Sequence, residues 1–182
     1  MIAEQRPFVT YDAFGVGDVA RLGDLDRTES VAMLYAVRGG DIVSLGHGCE
    51  VAPWTPAQLE EMVAFARRHL EASATGVAAY AGGRLAGVGI MGHAPVRGDA
   101  RELQLALLHV SREARRRGMA GRLFTELCEV ALSRGARRLY ISATPSDSAL
   151  GFYLSRGARL ADPVDRELYA MEPEDVHLVV DL

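Results

Sequence analysis

The chain contains no lysine. Its 20 basic residues are all arginine, set against 24 acidic residues, and the formal charge is −4. Without lysine there can be no Walker A loop, which needs Gly-x4-Gly-Lys-Ser/Thr. The absence fits a GC-rich coding bias. The acidic balance argues against a general nucleic-acid binder. Cysteine is scarce too: Cys49 and Cys128 are too few for a disulfide scaffold, lack metal-ligand spacing, and read as reduced structural thiols. No apolar run approaches the length of a membrane span, and Met1-Ile-Ala-Glu-Gln-Arg-Pro is no signal peptide. The expectation is a soluble, cytoplasmic protein with no metal and no membrane partner. At 182 residues and 49% apolar, it suits one domain over residues 1–182 with a sizeable core.

Periodicity orders the elements. Phe8–Tyr11 reads as a first strand. Val19, Leu22 and Leu25 predict a short helix over Asp18–Arg27. Val31–Val51 holds Met33, Leu34, Tyr35 and Val37, the turn Gly39-Gly40-Asp41, then Ile42, Val43 and Leu45. This reads as a helix end or strand, a hairpin turn and a strand, most simply a short extension of the sheet edge. Thr55-Pro56 is an N-cap with proline at the first helical position. Leu59, Met62, Val63, Ala66 and Leu70 continue that helix to about Ser73. Trp54 is either core or part of an acceptor site, with core favoured. Gly76–Ala81, Gly82-Gly83 and Arg84–Gly92 predict a hairpin. Pro95–Ala100 reads as a polar loop. Ala158–Ala161 and Val176–Val180 read as closing strands around the acidic segment Asp162–Asp175.

The most informative stretch is Leu105–Ala131. An apolar run, Leu103–Val110, has strand length. A turn with Arg115, Arg116 and Arg117 follows, then Gly118 and Gly121, and Ala120, Leu123, Phe124, Leu127, Val130 and Ala131 mark one helix face. Buried strand, Arg/Gly turn and helix N-terminus together make an anion site, since free N–H groups and the positive dipole end point out of the turn. A dinucleotide fingerprint, Gly-x-Gly-x-x-Gly, lacks its first glycine here. What remains is Arg115-x-x-Gly118-x-Ala120, which alone is equally a solvated basic turn with a helix cap.

That pattern resembles the Arg/Gln-x-x-Gly-x-Gly/Ala pyrophosphate loop of the GNAT (Gcn5-related N-acetyltransferase) superfamily. A second segment supports the resemblance. After a short strand, Arg138–Ala143, comes Ser146-Asp-Ser-Ala149-Leu-Gly-Phe152-Tyr153-Leu-Ser-Arg-Gly157. It is similar to the family's Asn-x-x-Ala-x-x-Phe-Tyr-x-x-x-Gly-Phe. The resemblance implies an α/β (α+β) fold: a mixed, mostly antiparallel sheet of about 6–7 strands flanked by about four helices.

It also implies a chemistry. The donor would be acetyl-CoA or another acyl-CoA. The backbone N–H groups of Arg116, Arg117, Gly118, Met119, Ala120 and Gly121 would hold its pyrophosphate, with Arg115 and Arg117 adding charge. Backbone of Leu108, His109 and Val110 would meet the thioester and pantetheine, the Leu108 N–H serving as oxyanion donor. The His109 side chain points to the opposite face and reads as structural. Tyr153 would protonate the departing thiolate; without the resemblance it would read as a core tyrosine beside Phe152. Ser146 stands where the family has asparagine, and could hydrogen-bond pantetheine or cap a helix. Gln104 occupies a position where some members carry a glutamate base, and it cannot take a proton. Glu102, two residues earlier on the same strand face, could act through a water chain or merely line the pocket. His47 is more simply a solvated loop histidine. Lacking lysine, the protein cannot acetylate its own lysine side chains.

The leading reading is an N-acetyltransferase acting on a primary amine of a small molecule or a peptide N-terminus, homodimeric as family members commonly are. The alternative is a catalytically silent acyl-CoA-binding module. An RNA-binding domain using the arginine cluster is disfavoured by net charge.

Overall fold

The computed structural model describes residues 8–182. Its centre is a seven-stranded sheet built from β1 (Val9–Ala13), β6 (Thr75–Ala81), β7 (Arg84–Val96), β8 (Asp99–Val110), β9 (Arg138–Ala143), β10 (Arg159–Leu160) and β11 (Val176–Asp181). The spatial order is β1-β6-β7-β8-β9-β11-β10. Every pairing is antiparallel except β8 with β9, which is parallel over Glu102–Leu105 and Arg138–Ile141 only. Four α-helices accompany it: α1 (Pro56–Glu71), α2 (Met119–Ser133), α3 (Asp147–Leu154) and α4 (Arg166–Met171). None is long and apolar enough to cross a membrane.

Each helix buries the stripe its sequence marks. Leu123, Phe124, Leu127 and Ala131 of α2 join Leu150 and Tyr153 of α3 over Leu139, Ile141, Leu178 and Val180 of the sheet. Gly87 and Gly89 let α2 come close: a Cβ at Gly89 would stand 2.6 Å from Leu127 Cδ1, and one at Gly87 2.9 Å from Met119 Sδ. On the other face, α1 and a 3₁₀ helix (Val16–Asp24) bury Ala66, Val19 and Leu22 against Ala78, Val88 and Ile90. Thr55 and Gln58 form a reciprocal capping box at the start of α1.

Several expectations are corrected. The short helix predicted at Asp18–Arg27 is the 3₁₀ turn at Val16–Asp24. The polar loop predicted at Pro95–Ala100 is a tight hairpin turn: Arg97 and Gly98 both take positive φ (51° and 74°), so β7 and β8 run through it. The acidic segment 162–175 contains α4, capped by Asp165. Val31–Val51 contains no helix and does not extend the main sheet. It supplies β3 (Tyr35–Arg38), β4 (Asp41–Ser44) and β5 (Cys49–Val51), paired as two small ladders, β3 with β4 and β5 with β2 (Glu29–Val31).

Candidate active site

The site begins with an irregularity in β8. Met91 faces Leu105 and Ile90 faces Leu107, so Ala106 is an extra residue, a bulge. The bulge reverses the side-chain alternation. Leu103 and Leu105 belong to the core under α2, yet so do Leu108 and Val110, while Leu107 packs toward α1. Pairing with β9 stops at Leu105↔Ile141, one residue before the bulge. Beyond it the two parallel strands part.

The parted edge carries free backbone. The Ser111 N–H donates to Ala86 O on β7 at 2.8 Å. Alternation along an antiparallel ladder then turns the His109 amide toward β7 and the Leu108 and Val110 amides to the other edge, facing the gap. The Leu108 N–H there has no strand partner.

The anion cradle lies just past the gap. Gly118 is the N-cap of α2 in the left-handed region (φ 80°), and no side chain caps the helix. The first intrahelical bond is Arg122 N–H to Gly118 O at 3.0 Å, so the N–H groups of Met119, Ala120 and Gly121 point outward unpaired. No acidic residue occupies the first turn. Arg116 and Arg117 are exposed beside it. Arg156, which sequence reasoning passed over, adds a third cation: a Cβ at Gly121 would stand 2.9 Å from its Nη2. Its guanidinium stacks on Phe152 at 3.6 Å and donates to Phe152 O at 3.0 Å.

Arg115 does something other than expected. Its side chain turns away from the cradle, donates to the carbonyls of Val110 (3.0 Å), Thr28 (3.3 Å) and Arg27 (3.3 Å), and pairs with Glu29 at 2.9 Å. It fastens the chain around Arg27 to the end of β8. Ser111 Oγ accepts from Asp26 N–H, and Arg112 N–H donates to Asp26 O. A few residues on, Tyr35 N–H donates to Pro145 O, and Asp147 N–H to Met33 O. Residues 26–35 therefore form a strap from the end of β8 to the end of β9, across the mouth of the gap. Nothing in the sequence signalled it, because its ties, backbone and side-chain alike, join residues far apart in the chain.

Tyr153 is buried between α2 and α3, its ring against Phe124 and Phe152. Burial pushes its phenol well above the ordinary value; Arg156 opposes the shift and the Asp175 carboxylate adds to it. Among the described residues its hydroxyl has no hydrogen-bond partner. Ser146 is the N-cap of α3 and accepts from Ala149 N–H at 3.2 Å.

Glu102 lies elsewhere. It is fully buried at the far end of β8, about six residues and roughly 20 Å along the strand from Leu108. Arg97 grips both carboxylate oxygens (2.7 and 2.5 Å) and Arg138 donates at 2.9 Å. The structure does not bring this carboxylate to Tyr153; it ties β8 to the hairpin turn and to β9. Gln104 lines a separate cavity of about 80 Å³ with His69 and His93, under the end of α1.

His109 packs on Trp54 (ring centroids 5.4 Å apart), itself half-buried beneath Arg27. Burial, helped by Arg115 and Arg27, lowers its imidazole to about 4, and Nε2 is enclosed without a partner among the described residues. His47 is exposed in its loop. Cys49 and Cys128 are free thiols, Cys128 pushed up to about 11 by burial. Among the described residues no three His, Cys, Asp or Glu side chains stand where they could hold one metal ion.

The model of the Acetyltransferase (GNAT) family matches residues 40–158. Among curated proteins none matches the sequence. Solved structures share the fold. A nourseothricin acetyltransferase superposes with a TM-score of 0.67 at 21% identity, covering 95% of this chain and 98% of that one. The PaiA N-acetyltransferase of Thermoplasma acidophilum, in complex with coenzyme A, gives 0.63 at 11% identity, covering 96% and 99%. The ribosomal-protein-S18-alanine N-acetyltransferase of Escherichia coli gives 0.60 at 15%, covering 96% and 94%.

Proposed function

The chain belongs to the GNAT acetyltransferase family, and we propose that it moves an acetyl group from acetyl-CoA to a primary amine of a small molecule or peptide N-terminus. The observation that carries this reading is the gap opened by the Ala106 bulge, with an unpaired Leu108 N–H on β8 and the Tyr153 phenol on α3, the helix that follows β9. An acyl thioester placed there meets a donor for its carbonyl oxygen and an acid for its sulfur.

The residues present fit acetyl-CoA. Unpaired N–H groups of Met119, Ala120 and Gly121 suit a pyrophosphate, and Arg116, Arg117 and Arg156 supply charge around them. The Leu108 N–H stabilises negative charge as it grows on the carbonyl oxygen, and costs no reorganisation because the strand already holds it. Tyr153, kept protonated by burial, donates its proton to the sulfur as the C–S bond breaks. Arg115 holds the strap and the Val110 carbonyl, and so shapes the mouth through which an amine would enter. The neighbours above are named for acceptors as different as nourseothricin and a ribosomal-protein alanine, so fold likeness leaves the acceptor open.

The test is calorimetric titration of acetyl-CoA into wild type and the Arg116→Ala/Arg117→Ala variant. A panel of primary amines, assayed by thiol release, follows. The expected result is micromolar binding that weakens in the variant, and turnover with at least one amine. Folded wild type that binds neither acetyl-CoA nor CoA would remove the proposal.

A further inference from the structure

Amine transfer needs a base, because the acceptor arrives as an ammonium ion. Three carboxamide, carboxylate or imidazole candidates on β8 fail on geometry. Glu102 is committed to two arginines at the wrong end of the strand. Gln104 faces another cavity. His109 is packed against Trp54 with Nε2 enclosed, and its basicity is low.

One carboxylate near the gap is uncommitted. Val176 pairs with Ala143, the last residue of β9, so Asp175 lies one step beyond the end of that strand, level with Thr144. Its backbone is fixed by a bond from its own N–H to Glu172 O at 3.2 Å. The side chain is half-buried, yet among the described residues it has neither a salt bridge nor a hydrogen bond. Glu29, the partly buried carboxylate of the strap, differs: it is paired with Arg115. The Asp175 charge is felt by the phenol of Tyr153.

We propose that Asp175 is the base of the transfer, taking the proton of the acceptor ammonium beside Tyr153. This rests on the acetyltransferase reading above. The steps balance. Asp175 removes one proton from R–NH3+, leaving R–NH2. The nitrogen lone pair attacks the thioester carbon; the C–N bond forms and the C–S bond breaks. Tyr153 O–H gives its proton to sulfur, and the phenolate regains one from the nitrogen, which leaves as the neutral amide. Asp175 returns its proton to water, so one proton is released per turnover.

The environment suits the task. Burial raises Asp175 to about 6, with Glu172 and Glu174 adding to the shift. Arg156 and Tyr153 are the other titratable groups tied to this end of α3. A base in that range is ionised at neutral pH yet still accepts a proton readily. A raised base beside a raised acid is the pattern that separates the two roles. Sequence reasoning took Asp162–Asp175 as a spacer between strands and missed it.

The experiment compares wild type with Asp175→Asn, a near-isosteric change. Acetyl-CoA binding is measured first by calorimetry; both proteins should bind equally, and failure of wild type to bind would strike the acetyltransferase reading itself. With the best amine of the panel, wild-type kcat/KM should fall below about pH 6. Asp175→Asn should lose that limb and at least 100-fold in kcat. Wild-type kcat and an unchanged limb in the variant would overturn the proposal while leaving the acetyltransferase reading intact. An arm without acceptor follows the carboxyl 13C signals of acetyl-CoA-loaded protein with pH. The signal absent from Asp175→Asn should titrate near 6; a midpoint at the ordinary aspartate value would also overturn it.

Discussion

Replacing Glu102 by glutamine separates two roles that its position on β8 would otherwise confuse. The carboxylate has no exposed surface, while its partners keep some: the Arg97 side chain is 18% exposed and that of Arg138 34%. Removing one member of a buried ion pair leaves an uncompensated charge and costs about 3–5 kcal/mol. Two features pull the figure down. Each arginine retains a second partner, Pro163 O for Arg97 and Asp99 for Arg138. Both can also recruit water. A loss of about 2–4 kcal/mol follows, or a fall in Tm of roughly 5–12 °C for a chain of this size. The damage sits some 20 Å from Leu108 by strand geometry. Well below the melting transition, acetyl-CoA affinity and kcat should therefore stay within about threefold of wild type. Urea melts, scanning calorimetry and amine acetylation at low temperature provide the readouts. A Glu102→Gln protein with unchanged Tm and a 100-fold loss of kcat would refute this reasoning and restore Glu102 as the proton acceptor.

Three further outcomes are expected. Tyr153→Phe should lower kcat by about 10²-fold or more while leaving the acetyl-CoA Kd unchanged, because only the acid is removed; equal kcat would assign the ring to packing alone. Gly118→Ala places a Cβ on a residue at φ 80°. It should cost about 1–2 kcal/mol in urea melts and weaken acetyl-CoA at least tenfold; unchanged affinity would mean that the anion lies elsewhere. His109 is lowered from 6.5 to about 4, so its neutral form supports the fold fully above pH 6.5, and that support drains away as pH falls toward 4. The shift is worth up to ~3 kcal/mol. Asp175, raised by burial, acts in the opposite sense over nearly the same window. The His109 contribution is therefore read as the difference between wild type and His109→Phe melts at pH 7.5 and pH 4.5, and equal differences at both would discount it.

The sequence was legible where one element carried its own signal. The α2 stripe, the N-cap at Thr55 and the Gly82-Gly83 turn each follow from adjacent residues, and the loop and tyrosine segments were contiguous motifs. Reading failed where the cause was tertiary. Counting by twos along β8 cannot register a bulge, so the face change at Ala106 was invisible. Glu102 read as a base or a pocket-lining carboxylate because the hairpin turn that brings Arg97 back onto it, and the parallel pairing that brings Arg138 beside it, are not local signals. Arg97 gave no turn signal because non-glycine residues seldom take positive φ. The strap at 26–35 rests on backbone bonds to Pro145 and Arg112 and on the side chains of Ser111 and Arg115, all far along the chain, which no local pattern encodes.

One strand explains why the site lies where it does. The first half of β8 is closed on both edges, against β7 and β9, and its only buried charge is neutralised by arginines from the turn and from β9. That half can bear no free backbone donor. The second half keeps its β7 neighbour but loses β9, so it is rigid and unsatisfied together. An unpaired amide taken out of water is costly; Leu108 is only partly buried, which makes its free N–H tolerable, and a polar ligand can pair with it. On the acetyltransferase reading, the same logic puts the chemistry at the ends of β8 and β9. Among the described residues, the parted strands, the uncapped start of α2, the phenol-bearing α3 and the uncommitted Asp175 all lie at that end of the sheet. An insertion that zipped β9 onto Leu108 would lengthen the ladder and stabilise the fold. By filling the gap it would also take away the thioester's place, and activity should vanish while Tm rises.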